Sequence, residues 1–153
     1  MTSCISGRLI EGGHELVQRV YYEDTDFSGF VYHARYLHFF ERGRTDFIRL
    51  LGVSQGALHA EQDPAEATAF VVRRMEIDFK SPARMDDVLT IMTLSEEVRG
   101  ARMMLNQTIS REDHLLASAR VTVAVINGLG RARRLPDALA EKFGVGAAAT
   151  VKS

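Results

Sequence analysis

A chain of 153 residues, 46% hydrophobic and 25% charged with a formal net charge of −1, has the size and composition of one globular domain. Those values exclude a disordered or fibrous chain, and the near-neutral balance supplies no long-range attraction for nucleic acid. The single cysteine, Cys4, cannot close an internal disulfide, no window reaches about 18 consecutive apolar residues, and the opening carries no charged-then-apolar run; a cytoplasmic setting without membrane insertion is expected.

Taken in chain order, residues 1–13 contain Gly7, Gly12 and Gly13 and no periodic pattern, and are expected to form a flexible lead-in. Residues 14–143 are expected to fold as the domain, with 144–153 a flexible tail. Glu15 to Tyr22 is rich in Val and Tyr and reads as a first strand. A short acidic loop follows, and then a helix from about His33 to Leu51, with Leu37, Phe40, Phe47, Ile48 and Leu51 as its apolar stripe and Gly52 just past its end. Gly43 inside that helix implies close packing, because a helical glycine otherwise costs up to about 1 kcal/mol relative to alanine. Ser54 to Pro64 reads as a short helix and loop.

From Ala69 the period changes to two, with Met75, Ile77 and Phe79 on one side and Arg74, Glu76 and Asp78 on the other. Val88–Arg99, Ala101–Arg111 and Leu115–Asn127 are three more strands, joined by the short turns Arg99-Gly100 and Glu112-Asp113, which imply antiparallel hairpins. A basic run, Arg131, Arg133 and Arg134, precedes a helix start at Pro136. One helix and five strands must bury a single apolar stripe, so the expected fold is α+β, an antiparallel five-stranded sheet wrapped around one long central helix. The sheet edges left over imply oligomerisation.

Chemistry concentrates in Tyr22 to Leu51. Asp24, Asp26, Ser28 and Gly29 match the first half of a calcium-binding loop, but the position that needs a bidentate Glu holds Arg35 and no helix precedes the loop. A zinc reading of Asp24, Asp26 and His33 lacks ligand spacing. Neither a metal nor any other cofactor is expected. Hydrolysis of an activated acyl compound fits better. Asp26, ionised at neutral pH, would act as nucleophile or general base, and the free N–H groups of the helix start near Tyr32 and His33 would receive the developing oxyanion. A lone carboxylate cannot protonate a poor leaving group, whereas a thiol of pKa about 8.5 leaves without help, so a thioester is the substrate class that fits. Asp24 reads as a loop cap rather than a second catalytic acid.

The run Tyr-Glu-Asp-Thr-Asp-x-x-Gly-x-Val-Tyr-His-x-x-Tyr-Leu-x-Phe-x-Glu-Arg from Tyr22, with Phe70–Met75, Pro82–Asp87 and Leu135-Pro136, closely resembles the hotdog-fold thioesterases of the YbgC, Tol-Pal-associated type, which are related to the 4-hydroxybenzoyl-CoA thioesterases. The resemblance implies an acyl-CoA thioesterase with Asp26 catalytic and His33 as catalytic or substrate-positioning partner. It further implies Val31 and Tyr32 beside the substrate, Arg73 and Arg134 among the residues available to the coenzyme phosphates, and a dimer of dimers with sites at the subunit interface. An acyl carrier protein is a possible partner. The alternative is a non-catalytic module of the same fold that binds acyl-CoA or acyl carrier protein.

Overall fold

The computed structural model describes residues 7–52 and 63–143. In order these form β1 (Arg8–Ile10), β2 (Gly13–Arg19), a 3-10 turn (Tyr22–Asp24), α1 (Arg35–Leu50), β3 (Ala69–Phe79), β4 (Val88–Arg99), β5 (Arg102–Arg111), β6 (His114–Ile126) and α2 (Asp137–Lys142). All six strands lie in one antiparallel sheet of order β1-β2-β4-β5-β6-β3. The sheet is therefore six-stranded where five strands were expected. The added strand, β1, falls within the stretch read as a lead-in. Three residues are too few to display a period, and the hairpin to β2 turns on Gly12, whose φ of +83° favours glycine. The helix and loop expected at Ser54 to Pro64 lie mostly outside the described residues, as do Cys4 and the tail.

Register shifts between Val72 and Arg74, between Ser95 and Glu97 and between Ile109 and Ser110 bend the long strands. Bulges of this kind increase local twist, and the sheet curls its inner face around α1. That face presents Leu89 and Ile91 from β4, Met103, Leu105 and Ile109 from β5, and Val121, Val123 and Val125 from β6, all buried. From the helix, Tyr36, Phe39, Phe40, Gly43, Asp46, Phe47 and Ile48 are buried. The stripe is rotated from the one expected: Tyr36 and Phe39 point inward and Leu37 is 44% exposed. Its centre is Gly43, which an apolar count passes over. A Cβ there would stand 2.9 Å from both Ile91 Cγ2 and Thr93 Oγ1, so the helix backbone lies directly on the sheet.

Most polar groups under the helix pair with one another, as burial requires; among the described residues His14 Nδ1 and Ser95 Oγ are buried without a partner. Gln107 donates to the carbonyl of Phe40 (2.8 Å) and to Thr93 Oγ1 (2.9 Å), and its carbonyl accepts from Arg44 (3.0 Å). Burial pulls the Arg44 guanidinium below its ordinary pKa. Near the other end of the helix His14 Nε2 lies 2.6 Å from Asp46 Oδ2, which also accepts the N–H of Gly7 and so ties the segment before β1 to α1.

Gly43→Ala should lower the denaturant midpoint with an unchanged slope. Overpacking costs about 1–3 kcal/mol, more than the gain of up to about 1 kcal/mol from removing a helical glycine. An unchanged or raised midpoint would show that the helix can lift from the sheet.

Candidate active site

Between β2 and α1 the chain makes one closed loop. Asp24, 3% exposed, ends the 3-10 turn, and its carboxylate accepts the N–H of Tyr21 (2.9 Å) and both Nε (2.9 Å) and Nη2 (2.8 Å) of Arg35. Its carbonyl accepts the N–H of Tyr32 (2.9 Å). Asp24 is thus the cap expected of it. Beyond it a small hairpin projects outward: Thr25 bridges Val31, Asp26 N–H donates to Phe30 O, and Gly29, at φ +84°, turns back to donate to Asp26 O. The sequence therefore places two carboxylates two residues apart in opposite environments, one buried and paired, the other at an exposed tip.

The Asp26 carboxylate accepts the hydroxyl and the backbone N–H (2.8 Å) of Ser28. These two donors, with a smaller contribution from the nearby His33, hold its pKa below the ordinary 3.8. Asp26 is therefore a carboxylate across the neutral range. His33 lies exposed at the helix mouth, its ring edge-on to Tyr32 (4.8 Å) and to Phe79 of β3 (6.3 Å). Phe79 also meets Tyr36 edge-on at 5.4 Å, and burial raises the pKa of the Tyr36 phenol, whose oxygen accepts the N–H of Ala83.

Tight turns close the first amides of α1. Arg35, Tyr36 and Leu37 donate to the carbonyls of Tyr32, His33 and Ala34, and Val31 donates to Ala83. Among the described residues this leaves the amides of His33 and Ala34 without a backbone partner at the mouth. Of the two amides expected there, Tyr32's is taken and His33's is open. Val31 is buried packing, and Tyr32 is half-exposed against His33. The two arginines stand elsewhere. Arg73 occupies the β3 bulge, six residues and so about 20 Å along the strand from Phe79. Arg134 is exposed near Asp137, beyond β6, while Arg133 is held by the carbonyls of residues 65–67. Within one chain neither Arg73 nor Arg134 joins Asp26. Ser28 and Arg35 were missed as partners of the two acids. An Asp-x-Ser turn was a readable sign of the first, and the second is a contact across eleven residues with no local signature. Among the described residues no group of three or more His, Cys, Asp or Glu side chains is placed to hold a metal ion.

A curled antiparallel sheet closed over one central helix is the hotdog fold of thioesterases. The profile described as the thioesterase-like superfamily matches residues 20–143. The acyl-CoA thioesterase YbgC of Haemophilus influenzae is 44% identical over 119 residues, 78% of this chain and 85% of that protein. The acyl-CoA thioester hydrolase YbgC of Escherichia coli is 43% identical over 127 residues, 82% and 91%. The crystal structure of a probable thioesterase from Bartonella henselae superposes with a TM-score of 0.76 at 47% identity, covering 81% of this chain and 99% of that one. The chain belongs to the thioesterase-like superfamily, among its YbgC-type members.

Ser28→Ala should raise the Asp26 pKa, read by carboxyl-carbon NMR titration. It should remain below 3.8, because the Ser28 N–H and His33 still favour the ionised form. An unmoved midpoint would show that the hydroxyl does not govern this carboxylate.

Proposed function

We propose that the protein hydrolyses acyl-CoA to the free acid and coenzyme A, with Asp26 as nucleophile or general base and the amides of His33 and Ala34 receiving the carbonyl oxygen. The observation that carries this reading is an exposed, ionised carboxylate within electrostatic reach of His33, whose amide stands open with that of Ala34 at the helix mouth. As nucleophile, Asp26 attacks the thioester carbon, the C–S bond breaks, the thiolate leaves and water then hydrolyses the mixed anhydride. As general base, it takes the proton of the attacking water. In both, negative charge develops on the carbonyl oxygen, where a positioned N–H contributes about 3–4 kcal/mol. The His33 ring would orient the thioester from the exposed side.

The acyl chain is assigned to the groove of about 260 Å³ beside α1, where Ile48, Phe70, Val72, Leu105 and Val123 form the apolar wall and Glu41, Arg44 and Thr45 the polar one. This groove opens along β3, whose outer edge has no neighbouring strand among the described residues. Pairing of two such edges would build the expected dimer, and of two dimers the homotetramer. It would also close the groove and carry the partner's Arg73 towards the mouth, where it and Arg134 are assigned to the coenzyme phosphates. We place the protein in the cytoplasm; among the described residues no helix is long and apolar enough to cross a membrane. Acyl carrier protein presents the same thioester and is the second candidate donor.

A non-catalytic acyl-CoA-binding module is the rival reading. It is favoured by one observation: Asp26 already accepts two hydrogen bonds from Ser28 and, among the described residues, does not line the cleft between β2 and α1 or the groove assigned to the acyl chain. The two readings part on thiol release.

Asp26→Asn should keep the fold and oligomeric state of the parent yet lose at least about a hundredfold in hydrolysis, measured by free-thiol detection over acyl-CoA and acyl-carrier-protein donors. Near-parental turnover in the variant, or saturable binding without thiol release in the parent, would reject the proposal. Single turnover in isotopically labelled water separates the routes, since only the nucleophile route labels Asp26.

A further inference from the structure

Asp24 and Arg35 stand outside the chemistry assigned above, and their geometry is unusual for a loop ion pair. The carboxylate is buried, both its oxygens are engaged, and the residue's own carbonyl is bound as well. Arg35 is the first residue of α1, and its N–H closes onto the carbonyl of Tyr32. The pair therefore joins the two ends of the loop that carries Asp26, through the side chains and again through the backbone of Tyr32.

A helix start ordinarily offers several free amides to an anion. Here Asp24 O removes the amide of Tyr32 from that set, and the turn bonds behind Arg35 remove those of residues 35–37. Two neighbouring amides remain. Charge matters too. A lone carboxylate beside a helix N-terminus would compete with any developing oxyanion for the positive end of the dipole. The Arg35 fork contacts Asp24 at 2.8 and 2.9 Å and neutralises it, while Asp26, carrying no arginine contact, keeps its charge for the substrate.

We propose that Asp24 and Arg35 are positioning residues for hydrolysis: their ion pair selects the amides of His33 and Ala34 as the oxyanion donors and cancels the buried Asp24 charge that would oppose them. The proposal rests on the thioesterase reading. Its signature is a loss confined to the transition state, because the substrate's acyl and coenzyme contacts are made elsewhere.

The test compares Arg35→Met and Arg35→Lys with the parent as whole protein. For Arg35→Met, kcat should fall about 10- to 100-fold, less than the full loss of one oxyanion donor, with KM within about threefold. Arg35→Lys, which restores the charge without the fork, should lie between Met and parent. In an Asp26→Asn background the infrared carbonyl stretch of bound acyl-CoA should shift back towards its solution value when Arg35→Met is added. Parental kcat in Arg35→Met, or equal loss in kcat and KM-limited binding with no change in the carbonyl band, would overturn the proposal. If Arg35→Met does not fold, Arg35→Lys decides alone: a severalfold drop in kcat at constant KM supports it and parental kcat refutes it. Activity surviving in Asp26→Asn would instead overturn the thioesterase mechanism itself, so the two failures are separable.

Discussion

The contact that fixes everything else is the seat of α1 on the sheet at Gly43. With no side chain there, the helix comes close enough for Gln107 to bond the carbonyl of Phe40, Thr93 and Arg44 together, a bridge from sheet to helix. Burial of Phe39, Phe40, Phe47 and Ile48 contributes most of the attraction, at about 1.5–3 kcal/mol each. The polar bridge sets rotation instead, since turning the helix would strand buried donors at about 1–3 kcal/mol apiece. Height and rotation together decide where the helix mouth opens.

What happens at the mouth follows from how far it stands from that core. Val20, Val31 and Tyr36 are the last buried apolar anchors, and beyond them the chain is held by hydrogen bonds, the Arg35–Asp24 ion pair and the guanidinium of Arg84 over the Phe30 ring. Asp24 faces inward and must be paired, as any buried carboxylate must. Asp26, one bridge further out, faces water and can afford to stay charged. Two identical side chains are thereby held in different states by environment, one paired and buried, the other charged and open to water.

This division also marks how far the sequence could be read. β4, β5 and β6 were legible to within about a residue because they are long, alternate cleanly and join through two-residue turns. The helix was legible for the same reason of length, and Gly43 was read as a close contact, but the apolar stripe was misplaced by Leu37 because its true centre is that glycine, which carries no hydrophobic signal. β1 was invisible at three residues, and the pairing of β3 with β6 at the far edge is a non-local fact that no local period encodes. At the site, the cap at Asp24 and the open amide of His33 could be anticipated from turn and helix chemistry. The Arg35 clamp could not, nor the distance of Arg73 and Arg134 from Asp26, since each depends on how separate elements are brought together.

The leaving group closes the argument. A mouth with one carboxylate and two amides can add a nucleophile and hold an oxyanion. In the proposed mechanism the departing atom is given no proton: the His33 ring orients the thioester, Arg35 is bound to Asp24, and Tyr36 is buried against Ala83 with its phenol pKa raised. An amine or alkoxide would have to leave as a strong base, whereas a thiolate leaves at a pKa of about 8.5. On that mechanism a restriction to thioesters would follow from what the fold can bring to a helix end on an open surface, with no recognition of sulfur at all.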